Sequence, residues 1–175
     1  MNIRPATLSD VERCASLDAS FATQYVWQTE QRISSSLVDV GFRRIRIPRQ
    51  LDVAYPGDTE ALFGHWQRRE CFLAARQDNT LIGYLDLTVH GDGWQGWIEH
   101  LVVHRPYRRL GVASALLEGA EQWAGGSQLR RITVAIQAKN DPAISLLLSR
   151  GYHLRGYLDR YFRNGDMALF YTCSI

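Results

Sequence analysis

The spacing of apolar residues along the chain changes several times, and each change predicts a new element. Val11, Cys14, Ala15 and Leu17 recur at helical spacing behind a Ser9/Glu12 pair of the capping-box kind, so the first helix is predicted over 9–19. From 25 to 55 the pattern differs. Phe42, Ile45 and Ile47 interleave with arginines between Pro48 and Pro56 and the preceding helix, which predicts extended structure such as a hairpin, with 21–57 as an insert ahead of the central sheet. A short helix is expected over 59–69. Strands follow at 71–76 and 81–89, joined by Gln77-Asp78-Asn79-Thr80, and at 94–103 after the Gly91-Asp92-Gly93 turn.

The second half alternates helices with strands. Pro106 and Gly111 lead into a helix with Val112, Leu116, Ala120 and Trp123 on one face, stopped by Gly125-Gly126. Ile132, Val134 and Ile136 alternate with Thr133, Ala135 and Gln137, as in a strand. Asp141-Pro142 reads as an N-cap followed by a first-turn proline, in a helix that ends at Gly151, and 152–159 and 166–173 supply two last strands. This order implies an α/β or α+β fold, a sheet with helices packed on it. There is no internal repeat and no linker, so 1–175 is expected to form a single domain.

Composition narrows the chemistry. With 46% hydrophobic and 22% charged residues, the chain can bury a core without disulfides. Cys14, Cys71 and Cys173 are odd in number and lack ligand spacing, so reduced thiols and no metal are expected. The N-terminus has no apolar leader, and no run approaches the roughly 20 apolar residues of a membrane span, so a cytoplasmic protein without a membrane partner is expected. A formal charge of +2 gives no reason to invoke nucleic acid. Lys139 is the only lysine, and the arginine excess fits either anion recognition or genome base composition.

The segment 101–114 carries the most chemistry. An apolar strand runs into a short loop with Gly111 and then into a helix whose first N–H groups lack intrahelical partners, an arrangement that attracts anions. Gly111 and Ala113 are small where a backbone would approach a pyrophosphate, and Arg105, Arg108 and Arg109 add charge. Neither a dinucleotide fingerprint nor a Walker loop is present. Arg108-x-x-Gly111-x-Ala113 resembles the R/Q-x-x-G-x-G/A signature of the GCN5-related N-acetyltransferase (GNAT) superfamily. Asn140-Asp141-Pro142-Ala143 and Gly151-Tyr152 resemble that family's second motif. The ending, Gly151 to Tyr171, is similar to the C-terminal strands of streptothricin-type acetyltransferases.

The resemblance covers 71–172 well and implies a twisted mixed sheet of six to seven strands with acetyl-CoA held between two splayed parallel strands, 97–104 and 131–137. It places Leu101, Val102 and Val103 beside the pantetheine arm and thioester, the backbone of Arg108, Arg109, Leu110, Gly111, Val112, Ala113 and Ser114 around the pyrophosphate, and Asn140 against the other side of the cofactor. Transfer of acetyl from coenzyme A to an amine is then the implied reaction, by direct attack in a ternary complex.

An amine with a pKa of about 10.4 must lose a proton before it attacks. Glu99 matches the acidic residue of the family's strand and is the candidate base, with a solvated strand carboxylate as the alternative. His100 is expected on the opposite face of a regular strand, as a satisfied structural histidine. The position at which many members carry an acidic tyrosine falls on Leu147, which leaves Tyr152, Tyr157 and Tyr161 as replacements. Tyr161, in a polar Asp-Arg-Tyr segment, is the first choice. Arg43, Arg44, Arg46 and Arg49 could meet an acidic substrate group or form a solvated face, and Trp27, Trp94 and Trp97 could stack on a ring or fill the core. A small-molecule amine is the expected acceptor. A peptide or protein amine, or a non-catalytic acyl-CoA sensor, are the alternatives, and pairing at the C-terminal edge would suit a homodimer.

Overall fold

Residues 1–91 and 93–175 are described by the computed structural model. Asp92, the middle of the expected glycine-flanked turn, lies outside them. In chain order the elements are β1 (Asn2–Pro5), α1 (Leu8–Cys14), β2 (Phe21–Ile33), β3 (Val38–Val53), α2 (Leu62–Gln67), β4 (Cys71–Gln77), β5 (Thr80–His90), β6 (Gln95–Val103), α3 (Val112–Gly126), β7 (Arg131–Gln137), α4 (Asp141–Ser149), β8 (His153–Leu158) and β9 (Ala168–Ser174). Seven strands form one sheet in the order β1-β4-β5-β6-β7-β9-β8, while β2 and β3 pair only with each other. Within the large sheet β6 and β7 are parallel, and the other neighbours are antiparallel.

Helices cover both faces of this mixed sheet. Leu116, Leu117 and Ala120 of α3, with Ile144 and Leu147 of α4, pack on Leu85, Leu87, Ile98, Ile132, Val134 and Leu169. On the other face Val11 and Cys14 of α1 and Leu62 of α2 pack on Phe72, Tyr84 and Val102. Leu116 is fully buried, so its truncation to alanine would cost about 2–5 kcal/mol.

Local chemistry moves several element ends. The first helix is capped by Thr7, whose N–H and hydroxyl both donate to Asp10 Oδ2, at 2.9 and 2.7 Å. Ser9 and Glu12 are exposed, and the helix stops at Cys14 rather than continuing to 19. Asp10 wins because it is also gripped by Arg4 and Arg76, which draws the start of α1 onto β1 and β4. In α4 the N-cap is Asn140, which accepts from the Ala143 N–H at 3.2 Å, and the expected cap, Asp141, is occupied elsewhere. On α3 the buried stripe continues to Ala124, with Trp123 only partly covered, and Gly125-Gly126 forms the last turn.

The extended region begins earlier than its sequence pattern. Strand β2 starts at Phe21 and pairs with β3 from Phe21↔Val53 to Ile33↔Val38, with an irregularity between Thr23 and Tyr25. This hairpin lies against the segment after β7: Trp27 N–H donates to the Ala138 carbonyl, and Arg44 makes two hydrogen bonds to Asp141 at 2.6 and 2.8 Å.

Candidate active site

Strands β6 and β7 are paired only from Gln95↔Arg131 to Ile98↔Val134. Beyond that point β6 stays with β5 and β7 stays with β9, so the two diverge and, among the described residues, leave the β6 backbone at Leu101, Val102 and Val103 without a paired strand on that side. A strand edge that opens in this way offers hydrogen-bonding groups to an extended ligand.

At the same end of β6 the chain makes a 3₁₀ turn over Arg105–Tyr107 and then enters α3 through two residues with left-handed backbone, Arg109 (φ 64°) and Gly111 (φ 82°). Gly111 suits this conformation because it has no Cβ to strain. The first α-helical bond runs from Ala115 N–H to the Gly111 carbonyl, and no side chain caps the helix among the described residues. The N–H groups of Val112, Ala113 and Ser114 are therefore available to an anion, with the positive end of the helix dipole behind them.

Of the three loop arginines, Arg105 and Arg109 are exposed and can add charge. Arg108 is used differently. Its guanidinium donates to three backbone carbonyls, those of Val103 (2.9 Å), Ser20 (2.5 Å) and Asp18 (2.8 Å). Arg108 thus holds the loop's shape through its side chain.

The candidate base sits on an irregularity of β6. Asp86 of β5 is opposite His100, but Leu87 is opposite Ile98, so Glu99 is the extra residue of a β-bulge. Its carboxylate Oε1 accepts from the Thr88 hydroxyl at 2.8 Å and lies 3.2 Å from His90 Nε2. Thr88 and His90 are themselves 2.8 Å apart, which closes a three-membered polar ring. The Glu99 side chain is 34% exposed, so an acceptor can reach it.

The bulge also corrects the expectation for His100. Thr88 and Asp86 alternate onto one face of β5, and they hold Glu99 and His100 respectively, so both residues of β6 point to the same face. His100 is buried, with Nδ1 3.1 Å from Asp86 Oδ2 and Nε2 without a partner among the described residues, so it is only half satisfied. His65 of α2 approaches the same Asp86 oxygen through Nδ1 at 2.5 Å. His65, Asp86 and His100 are the group among the described residues whose donors converge enough to hold a cation. Two ligands on one tetrahedral zinc stand about 3.3 Å apart, given bonds of about 2.0–2.1 Å, so the 2.5 Å contact is that of a hydrogen-bonded pair.

Tyr161 packs on Phe170, close enough to Glu99 to feel its charge. Burial, followed by the charge of Glu99, raises the pKa of its phenol above the ordinary value, which keeps the proton on at neutral pH. Its ring packs on Phe170 at 5.4 Å, Phe170 on Trp97 at 5.9 Å, and Trp97 on His90 at 5.8 Å, so aromatic rings connect the tyrosine to the Glu99 ring. His90 was not anticipated from the sequence. A histidine near a turn gives no signal of its own, and only the cross-strand register links it to Glu99.

Other sequence candidates fall outside this cluster. Tyr152 is buried and donates to Glu121 at 3.3 Å, and burial first, then Glu121, raises its pKa. Tyr157 accepts from Gln31 Nε2 at 2.6 Å and packs edge-on against Phe42. Leu147 is a core residue, 1% exposed. Asn140 has its side-chain oxygen in the helix cap. Arg43 pairs with Glu30 and Arg44 with Asp141, so neither guanidinium stands free for a substrate. The Arg44 hydrogen bonds are also the first cause of the lowered Asp141 pKa. Trp27 donates to Asp141, while Trp97 lies in the open aromatic wall.

Residues 41–152, which include the gap between parallel strands and the helix behind it, match the Acetyltransferase (GNAT) family. The chain belongs to it. The family is one of acetyltransferases. A streptothricin acetyltransferase of Escherichia coli is 37% identical over 79 residues, which is 45% of this chain and 45% of that protein. Nourseothricin acetyltransferase has the same fold, with a TM-score of 0.83 at 20% identity, over 99% of this chain and 97% of its own. So does a candidate streptothricin acetyltransferase from Bacillus anthracis str. Ames in complex with acetyl coenzyme A, with a TM-score of 0.76 at 19% identity and the same 99% and 97% coverage. Among the described residues no helix is long and apolar enough to cross a membrane.

Proposed function

We propose that this single-domain, cytoplasmic protein transfers acetyl from acetyl-CoA to a primary amine of a small molecule, by direct attack in a ternary complex. The observation that carries the reading is Glu99, set out from β6 by the bulge and held by Thr88 and His90 beside the gap between β6 and β7. Glu99 takes the proton of the bound ammonium, directly or through a water, and the freed nitrogen attacks the thioester carbonyl carbon. The C–N bond forms and the C–S bond breaks. Tyr161 donates its proton to the departing thiolate, whose thiol pKa is about 8.5, and its phenolate is restored by the second proton that the nitrogen loses as the amide forms, so the net proton released is the one taken by Glu99. The backbone of 108–114 holds the pyrophosphate, and 101–103 and Asn140 hold the arm that leads to the reacting carbon. The streptothricin acetyltransferase relative supports a small-molecule acceptor.

Turnover of acetyl-CoA against separate pools of small amines, antibiotics and peptides tests this. Release of free coenzyme A thiol with a small-molecule pool is the expected outcome. Turnover only with peptides would transfer the assignment to a protein N-acetyltransferase. Tight acetyl-CoA binding with no turnover in any pool would make the chain an acyl-CoA sensor.

A further inference from the structure

The face of the sheet that carries Glu99 continues into a depression of about 450 Å³ over β6, β7, β9 and β8. Trp97 and Phe170 wall it toward Glu99, so it shares two side chains with the aromatic path to Tyr161. Its floor is polar: Thr133 and Thr172 hydroxyls lie 3.1 Å apart, and Gln95 Nε2 donates to Thr133 at 3.3 Å. Arg131 and Arg155 stand on its lining, and among the described residues no carboxylate does.

The two arginines differ in how firmly they are placed. Arg131 donates through Nη2 to Gln95 Oε1 at 2.8 Å, lies 4.4 Å from the centre of the Trp94 ring, and keeps a buried Nε without a partner among the described residues. Arg155 is exposed on β8. A hydrogen-bonded floor with fixed positive charge and no acidic group in the lining selects against a purely cationic ligand and for one with an anionic group.

We propose that the acceptor is an amphoteric molecule, bearing a carboxylate or similar anion remote from the amine that is acetylated, and that Arg131 and Arg155 receive that anion. This rests on the N-acetyltransferase reading above. Arg131 is opposite Gln95, four residues along β6 from Glu99, so the amine and the anion are separated by about 13 Å of strand. Trp97 and Phe170 cover the apolar body between them.

Acetyl transfer from acetyl-CoA to ω-aminooctanoate and ω-aminoundecanoate, measured against octane and undecane diamines, reads the preference in the wild-type protein. The expected result is a higher kcat/KM for the amino acids. Arg155→Glu, an exposed substitution, should lower that ratio by about tenfold through the acceptor KM, with the acetyl-CoA KM unchanged. Calorimetry with ω-hydroxyundecanoate, which lacks the amine, reads the anion site without turnover, and its binding should be lost in Arg155→Glu. If diamines are acetylated as well as amino acids, or if Arg155→Glu leaves both the ratio and the hydroxy-acid binding unchanged, the proposal is overturned. If no amine is acetylated yet the hydroxy acid binds in an Arg155-dependent way, the anion site stands and the transferase reading falls.

Discussion

The two sides of the β6–β7 gap are built by different means. The proposed donor side is made of backbone: among the described residues, a strand edge without a paired strand, two left-handed residues and a helix with no side-chain cap, and Arg108 there serves to hold the backbone in place. The acceptor side is made of side chains, brought together by the bulge at Glu99 and by packing of Trp97, Phe170 and Tyr161 across three strands and a loop. A backbone site tolerates change in most side chains but not in backbone shape. A side-chain site is the reverse, so each half should fail in its own way when mutated.

The sharpest division should come from Glu99→Gln. It keeps the shape and removes the base, so kcat should fall by about 10²–10⁴-fold while acetyl-CoA affinity stays the same. Unchanged turnover from pH 6 to 9, a range on the order of that in which such bases are tuned, would reduce Glu99 to a structural carboxylate and erase the distinction. Gly111→Glu is the converse. It places a non-glycine residue at φ 82° and a negative charge at the phosphate position, so acetyl-CoA affinity should fall by about a hundredfold in calorimetry while circular dichroism reports a folded chain.

Asp10→Asn tests the frame that both halves share. Burial alone would raise the Asp10 pKa, but the hydrogen bonds from Thr7, Arg76 and Arg4 outweigh it and bring it to about 2. A folded pKa below the unfolded value of about 3.9 contributes stability that is present above pH 4 or so and is lost as pH falls through about 2. The substitution should therefore cost about 2 kcal/mol at neutral pH and flatten the acid limb of the unfolding profile, with donor and acceptor affinities moving together. The smallest effect is expected from Arg44→Ala. Its pair with Asp141 is partly exposed, so a small melting shift, about 2–4 °C at most, is expected. A selective rise in acceptor KM would instead mean that the hairpin shapes the acceptor side directly.

The proposed donor side could be laid out from the sequence because its requirements are local. Gly111 and Ala113, a strand before them and an amphipathic helix after them are all consecutive residues, and the order of elements from α1 onward followed from apolar spacing with turn and capping residues, whereas β1 at Asn2–Pro5 was not expected. The acceptor side was legible only in part. Glu99 and Tyr161 were singled out one by one as candidates, but the bulge that turns Glu99 and His100 to a common face depends on pairing with β5, which no spacing along β6 reveals. His90 and His65 were missed for the same reason: each acquires its partner across a strand or from another layer. The capping errors have a related cause. Thr7 with Asp10, and Asn140 in place of Asp141, were selected by distant arginines that claimed the carboxylates.

The Arg108 clamp carries a further consequence. Its three acceptors are main-chain carbonyls, so the identity of the residues at 18, 20 and 103 is irrelevant to the bond and only their position counts. Information in this contact is stored on one side alone: one letter of the sequence is fixed, and its three correspondents are free to drift. Two chains could share the clamp without a single matching residue at 18 or 20, and a comparison of letters would register the arginine and miss the joint it makes between the phosphate loop and the root of the hairpin.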